Sequence, residues 1–294
     1  MADSAAYLPA VPAAAEDVNL RGVRHRLHRW GPREGRPLVL LHGWMDTGRT
    51  WQFVVDALAA QRHVVALDWR GFGDSDWVAD GYYFPDYLAD LEALLDREVG
   101  DDAVDLVGHS MGGNVAGLYA GIRPRRIRRL ALVEGFGTRA RDPAEAPDNY
   151  ARWLDQWRSP PTLQAPESPE AFADRLRERH PHLPADRALF VAQCWLRAAA
   201  GGMWQLRGDP AHKRTNPVLY RLEEAEACWR RIQAPVLWVV GSASGALSAF
   251  DGEAEVERRR SVIGAERVVI DDAGHMIHHD QPQALAAVLE SFLG

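Results

Sequence analysis

Ser110 is the residue whose surroundings most suggest chemistry. It sits in Val107-Gly108-His109-Ser110-Met111-Gly112-Gly113, a Gly-x-Ser-x-Gly pattern that follows a short apolar run and opens an amphipathic segment. That order reads as a strand, a sharp turn and a helix with the serine at the apex, the shape of a nucleophile elbow. Gly108 and Gly112 stand where a β-carbon would meet neighbouring backbone if the serine held a strained, positive-φ conformation. A serine hydroxyl is a weak nucleophile at neutral pH. The chain must therefore also supply a base, a group that orients it, and donors for a developing oxyanion.

Candidates for each exist. Asp272-Ala273-Gly274-His275-Met276 follows the last apolar run and precedes the last helical one, which puts His275 on a loop at the carboxyl edge of a sheet, where open α/β folds bind ligands. Leu40-Leu41-His42-Gly43-Trp44-Met45 leaves an early strand through a His-Gly turn, so the backbone N–H of Trp44 can aim at the same point as that of Met111. The plain alternative for His42-Gly43 is a tight turn. The neighbouring His42, Gly43, Met45 and His109 are expected in the substrate pocket. His278 and His279 follow His275 directly; a metal set of the three with Asp280 would lack a second ligand group, so both are expected at the surface and no metal or cofactor is implied.

These motifs, with Asp68-Trp69-Arg70-Gly71-Phe72-Gly73-Asp74-Ser75, resemble the α/β-hydrolase superfamily over nearly the full length, from about Asn19 to the C-terminus. The stretch from Asp68 is similar to the family's D-x-R-G-x-G-x-S turn after the fourth strand. His42-Gly43-Trp44-Met45-Asp46 and a capped layout resemble the esterase-like and haloalkane-dehalogenase-like branches. A dehalogenase would carry Asp at the position of Ser110, which disfavours halide displacement. The resemblance implies an α/β-hydrolase fold, a Ser-acid-His triad and no cofactor.

The sequence departs from the family at the acid. In most relatives it lies just after the strand that ends here at Val239-Val240-Gly241, but this chain continues Ser242-Ala243-Ser244-Gly245. Glu134, directly after the run Leu130 to Val133, is the first candidate: it can approach the imidazole from the neighbouring strand and keeps the order Ser, acid, His. Some dehalogenase-like members resemble this chain in placing the acid there. Glu134 could instead begin a loop and pair with Arg139, Asp251 could serve if its loop doubles back, or no functional acid exists.

The elements that would position these residues are legible as alternation. Apolar runs at Leu38 to Leu41, His63 to Leu67, Ala103 to Val107, Leu130 to Val133, Val236 to Val240 and Arg267 to Ile270 are separated by segments of helical periodicity. This predicts an α/β fold with a doubly wound, mostly parallel sheet. From about Thr138 to Arg231 the alternation stops and prolines punctuate helical segments, which predicts a helical cap inserted after the sixth strand. The expected division is a loose tail over 1–18, a core over 19–137 and 232–294, and a cap over 138–231. Trp153, Trp157, Trp195 and Trp204 of that insertion are expected to line the pocket, while Trp229 could equally pack its core.

Composition narrows the function classes. The 294 residues carry a formal charge of −7 and 47% hydrophobic side chains, enough for a large core and no basic field for nucleic acid. The arginines at 123, 125, 126, 128 and 129 read as a solvated helix end. Cys194 and Cys228 form no metal or disulfide pattern, Met1 to Asn19 lacks the features of a signal peptide, and no run is long enough to span a membrane. A cytoplasmic serine hydrolase follows, cleaving an ester or thioester of an apolar acyl or aryl group through an acyl-enzyme. Two rivals stand beside it: amide, epoxide or C–C hydrolysis on the same frame, and a non-catalytic ligand binder. The oligomeric state is not readable.

Overall fold

Short valine- and leucine-rich runs become strands buried on both faces, and the side chains of each strand divide alternately between two cores. The computed structural model describes residues 6–58, 61–135, 137–245, 250 and 252–294. In chain order the first half contains β1 (Ala14–Leu20), β2 (Val23–Trp30), β3 (Leu38–Leu41), α1 (Gln52–Ala57), β4 (Val64–Leu67), α2 (Phe84–Val99), β5 (Val104–His109), α3 (Met111–Ile122) and β6 (Ile127–Val133). An insertion follows, with α4 (Ala146–Arg158), α5 (Pro169–Arg179), α6 (Ala185–Trp195), β7 (Leu196–Ala198) and β8 (Trp204–Leu206). The chain then returns through α7 (Leu222–Trp229), β9 (Val236–Gly241), α8 (Glu253–Ile263), β10 (Ala265–Ile270), α9 (Ile277–Asp280) and α10 (Pro282–Leu293).

The main sheet runs β1-β2-β4-β3-β5-β6-β9-β10, parallel from β4 to β10 with β1 and β2 antiparallel at one edge. Val39 and Leu41 of β3 face a core shared with α2, α3, α7 and α8, whereas Leu38 and Leu40 face one shared with α1, α9 and α10. Leu285, Leu289 and Leu293 clamp α10 onto the second face, each worth roughly 1.5–3 kcal/mol of burial. Among the described residues no helix is long and apolar enough to cross a membrane, and Cys194 and Cys228 are free thiols.

Four expectations need correction. The tail is not loose to residue 18: Ala14 onward is β1, paired with β2 through a two-residue turn in which Arg21 (φ 53) and Gly22 (φ 82) both hold left-handed conformations. Tyr7, further out, donates its hydroxyl to Asp56 at 2.9 Å. The hairpin escapes a hydrophobic reading because β2 is rich in Arg and His: Arg26 and Arg29 are met by Asp17, Glu16 and Glu98, and His25 and His28 by Asp90 and Asp68. At the other end, α7 belongs to the core and not to the insertion: Leu222, Ala225 and Trp229 pack into the main cluster, and Gly117 and Gly121 of α3 admit it. The insertion also contains the small antiparallel pair β7 and β8. Finally, His278 and His279 are buried, 0% and 2% exposed.

Candidate active site

Strand β5 delivers Ser110 at a bend that few residues tolerate. Ser110 has φ 49 and ψ −114, its N–H donates to Val133 O at 2.8 Å, and its carbonyl accepts from Asn114 N–H at 2.9 Å, so the turn is closed on both sides. A β-carbon at Gly112 would lie 2.5 Å from Leu41 O, which explains a glycine two residues after the serine. Glu134 (φ 56), Met45 (φ 60) and Asp272 (φ 53) share the left-handed backbone, and all three stand on loops around Ser110. Strain of this kind is held only where the surroundings over-determine it.

Ser110, His275 and Glu134 come from three loops and meet in one hydrogen-bonded line. His275 Nδ1 lies 3.0 Å from Glu134 Oε2, and His275 Nε2 lies 3.0 Å from Ser110 Oγ. Because a carboxylate only accepts, the proton belongs on Nδ1, and Nε2 presents a lone pair to the serine hydroxyl. The Glu134 side chain is fully buried, while that of His275 is 38% exposed. Glu134 Oε1 accepts from Gly241 N–H at 2.7 Å and Oε2 from Ser244 Oγ–H at 2.6 Å, so the buried charge has three donors. The loop after β9, which lacks a carboxylate of its own, thus supplies donors to one arriving from β6. Asp251 lies outside the described residues.

The loop after β3 is held by the turn after β4. His42 is fully buried: its Nδ1–H donates to Gly43 O at 2.7 Å and its Nε2 accepts from Trp69 N–H at 3.0 Å. Asp68 accepts from Gly48 N–H at 2.7 Å and from Asp74 N–H at 2.9 Å, and its carboxyl is held down at about 2 despite burial, through His28 and His42 beside it and the Asp74 N–H. Arg70 is pinned by two bonds to buried Asp90, at 2.5 and 2.6 Å. Met111 opens α3, and neither its N–H nor that of Trp44 has a backbone acceptor among the described residues. Both side chains line one cavity of about 170 Å³.

That cavity lies between the insertion and the core. Trp153 and Trp157 of α4 line it together with Tyr82, Tyr83, Phe84 and Tyr87, and His212, Arg214 and Asn216 complete the lining. The other residues expected in the pocket are elsewhere. Trp195 donates Nε1–H to Asp46 Oδ1 at 2.7 Å and packs against Phe172 and His279. Trp204 borders separate hollows with Arg197 and Leu163. His42 and His109 are buried supports. Met45 packs against Gly208, and Gly43 lies under the serine, where a β-carbon would be 2.8 Å from His109 Nδ1 and 3.2 Å from Ser110 Cβ. Sequence reasoning missed the 82–87 aromatics and Ser244. The former are spaced as a helix entry and carry no reactive group; the latter had a signal in the Ser-Ala-Ser that replaces the usual acid.

Behind His275, Asp46 joins three elements. Besides Trp195 it accepts from Thr50 Oγ1–H at 2.8 Å and from His278 Nε2–H at 3.0 Å. His109 Nε2–H donates to His275 O at 2.8 Å. Burial pushes the His278 imidazole down to about 3 and those of His109 and His279 well below the usual range, so all three are neutral at pH 7. Asp46, His109 and His278 offer ligand-type atoms within 4.8 Å of one another, a different set from His275, His278, His279 and Asp280, but three donors already occupy the Asp46 carboxylate.

Comparison with known proteins agrees with this architecture. The chain is 31% identical over 285 residues to a 3-hydroxybutyrate-oligomer hydrolase of Cupriavidus necator, covering 92% of this chain and 94% of that protein. It is 28% identical over 272 residues to an esterase of Mycobacterium tuberculosis, covering 90% and 85%. The solved thioesterase domain from the curacin biosynthetic pathway superposes with a TM-score of 0.82 at 26% identity, covering 95% of this chain and 99% of that one. A sequence model of the alpha/beta hydrolase fold matches residues 36–282, and the chain belongs to that family of hydrolases.

Proposed function

We propose that this enzyme is a serine hydrolase that cleaves a carboxylic ester or thioester with an apolar acyl or aryl group through an acyl-enzyme. The observation that carries the reading is the line Ser110–His275–Glu134, with 3.0 Å at each joint. His275 takes the hydroxyl proton as Ser110 attacks, returns it to the leaving group, and then activates the water that releases the acid. Glu134 holds the imidazole in the required tautomer and stabilises its charged form. The amides of Trp44 and Met111 receive the oxyanion, and the insertion acts as a cap whose Trp153 and Trp157 give the acyl group an apolar wall.

The names of similar proteins support an ester or thioester bond, since they include an esterase and a thioesterase domain. The binder alternative rested on the missing carboxylate after Gly241, and a buried glutamate with three donors removes that support. A fluorophosphonate probe tests the proposal: Ser110 is labelled, labelling is lost in Ser110→Ala and slowed in His275→Ala. Labelling that survives Ser110→Ala would overturn it.

A further inference from the structure

The cavity lined by Trp44 and Met111 is largely aromatic, yet Arg214 puts a cation in its lining. Arg214 lies with its guanidinium carbon 4.1 Å from the centre of the Trp157 ring. Among the described residues its Nε and Nη1 are shielded from water and have no hydrogen-bond partner, and Arg214 enters no ion pair. Arg214 is half-buried, and the fully buried arginines are paired: Arg29 with Glu16 and Glu98, Arg70 with Asp90, and Arg259 with Glu255. Other arginines with shielded N–H groups, such as Arg126 and Arg267, still hold a carboxylate, Asp96 and Glu253. A shielded N–H without an acceptor is costly, so such a group needs a reason to persist.

Its backbone is also fixed. Arg214 N–H donates to Ala211 O at 3.0 Å and Thr215 N–H to Gln156 Oε1 at 2.6 Å, while Asp209 ties the same loop to Tyr82 at 2.7 Å. The loop that carries the guanidinium is therefore held in place before any ligand arrives. An arginine over an aromatic face keeps its fork of N–H groups available for a planar carboxylate.

We propose that Arg214 is an anion subsite, so that the preferred acyl group carries a carboxylate at the end remote from the scissile carbonyl, with its apolar middle against Trp153 and Trp157. The inference rests on the hydrolase reading above. Two experiments separate their fates. In the first, 4-nitrophenyl half-esters of succinate, glutarate and adipate are compared with the corresponding methyl 4-nitrophenyl diesters, which are neutral. At least one half-ester is preferred in kcat/KM by tenfold or more, and Arg214→Gln lowers that charged-to-neutral ratio by about 10- to 100-fold, the scale of a charge-assisted hydrogen bond. A ratio near one in the parent enzyme, or an equal loss for both ester types in the variant, overturns the subsite.

The second needs no turnover. Ethyl hydrogen glutarate and diethyl glutarate are titrated into Ser110→Ala by calorimetry, with and without Arg214→Gln. Tighter binding of the half-ester that disappears with Arg214→Gln supports the subsite even if no ester is cleaved, in which case only the hydrolase reading falls. Equal affinity for the two esters overturns the subsite whatever the activity. A melting temperature for Arg214→Gln within a few degrees of the parent shows that the loop remains folded.

Discussion

Replacing Glu134 by Gln puts the group behind His275 to a strict test, because the amide keeps the shape and cannot keep the hydrogen bonds. The carboxylate accepts from Gly241 N–H at one oxygen, and from Ser244 Oγ–H and His275 Nδ1–H at the other, at 2.7, 2.6 and 3.0 Å. Glutamine has two orientations. With its NH₂ toward His275, the imidazole must move its proton to Nε2 and can no longer accept from Ser110. With its NH₂ toward Gly241, two buried donors face each other at a cost of about 1–3 kcal/mol, and the imidazolium formed on attack still lacks its counter-charge. Loss of the orienting acid in serine triads costs roughly 10⁴ in kcat, or about 5.4 kcal/mol of barrier. The assay is steady-state hydrolysis of a 4-nitrophenyl ester by Glu134→Gln and Asp251→Asn, with melting temperatures to confirm folding. A drop of roughly 10³ or more for the first and little change for the second is expected. Less than a tenfold loss in folded Glu134→Gln, or the reverse pattern, refutes the reasoning.

Two further outcomes follow from the buried network behind the site. Asp46→Ala leaves the Trp195 and His278 donors without their acceptor, while the Thr50 hydroxyl keeps Thr47 O, so urea unfolding should show a loss of roughly 2–4 kcal/mol; a change below about 1 kcal/mol would contradict this. His212 and His278 are both pushed down to about 3 by burial, so the folded state binds fewer protons than the unfolded one below the ordinary histidine range. Their contribution is complete above about pH 6.5 and is lost as pH falls toward 3, at up to roughly 1.4 kcal/mol per pH unit for each group. Denaturant titrations at pH 7, 6 and 5 should show this fall, and a flat profile would count against neutral buried histidines.

The legible parts of the molecule were those where one local rule decides the outcome. Parallel strands buried on both faces require apolar runs, so β3, β4, β5, β6 and β9 could be read largely from Val and Leu, and edge strand β10, with Val269 half exposed, from its Val-Val-Ile. The elbow was legible because Gly112 has to clear the carbonyl of Leu41. By contrast β2 buries His25, His28 and Arg29, whose partners come from distant segments, so its pattern resembles a polar loop. Tryptophan is equally at home on a pocket wall and in a core, and nothing local separates Trp157 from Trp195; the difference is whether an acceptor such as Asp46 lies within reach of the indole N–H. The same holds for His278 and His279, polar in sequence but buried where Asp46 stands close to both.

The central claim is that Ser110 carries the acyl group. The enzyme is mixed with a 4-nitrophenyl ester, quenched in acid within the first turnovers, digested and analysed by mass spectrometry. The account predicts an acyl adduct on the peptide containing Ser110, accumulating in a burst of 4-nitrophenol with an amplitude near one per active site, and absent from Ser110→Ala. Turnover of the ester with no adduct on that peptide, and unchanged in Ser110→Ala, would contradict it.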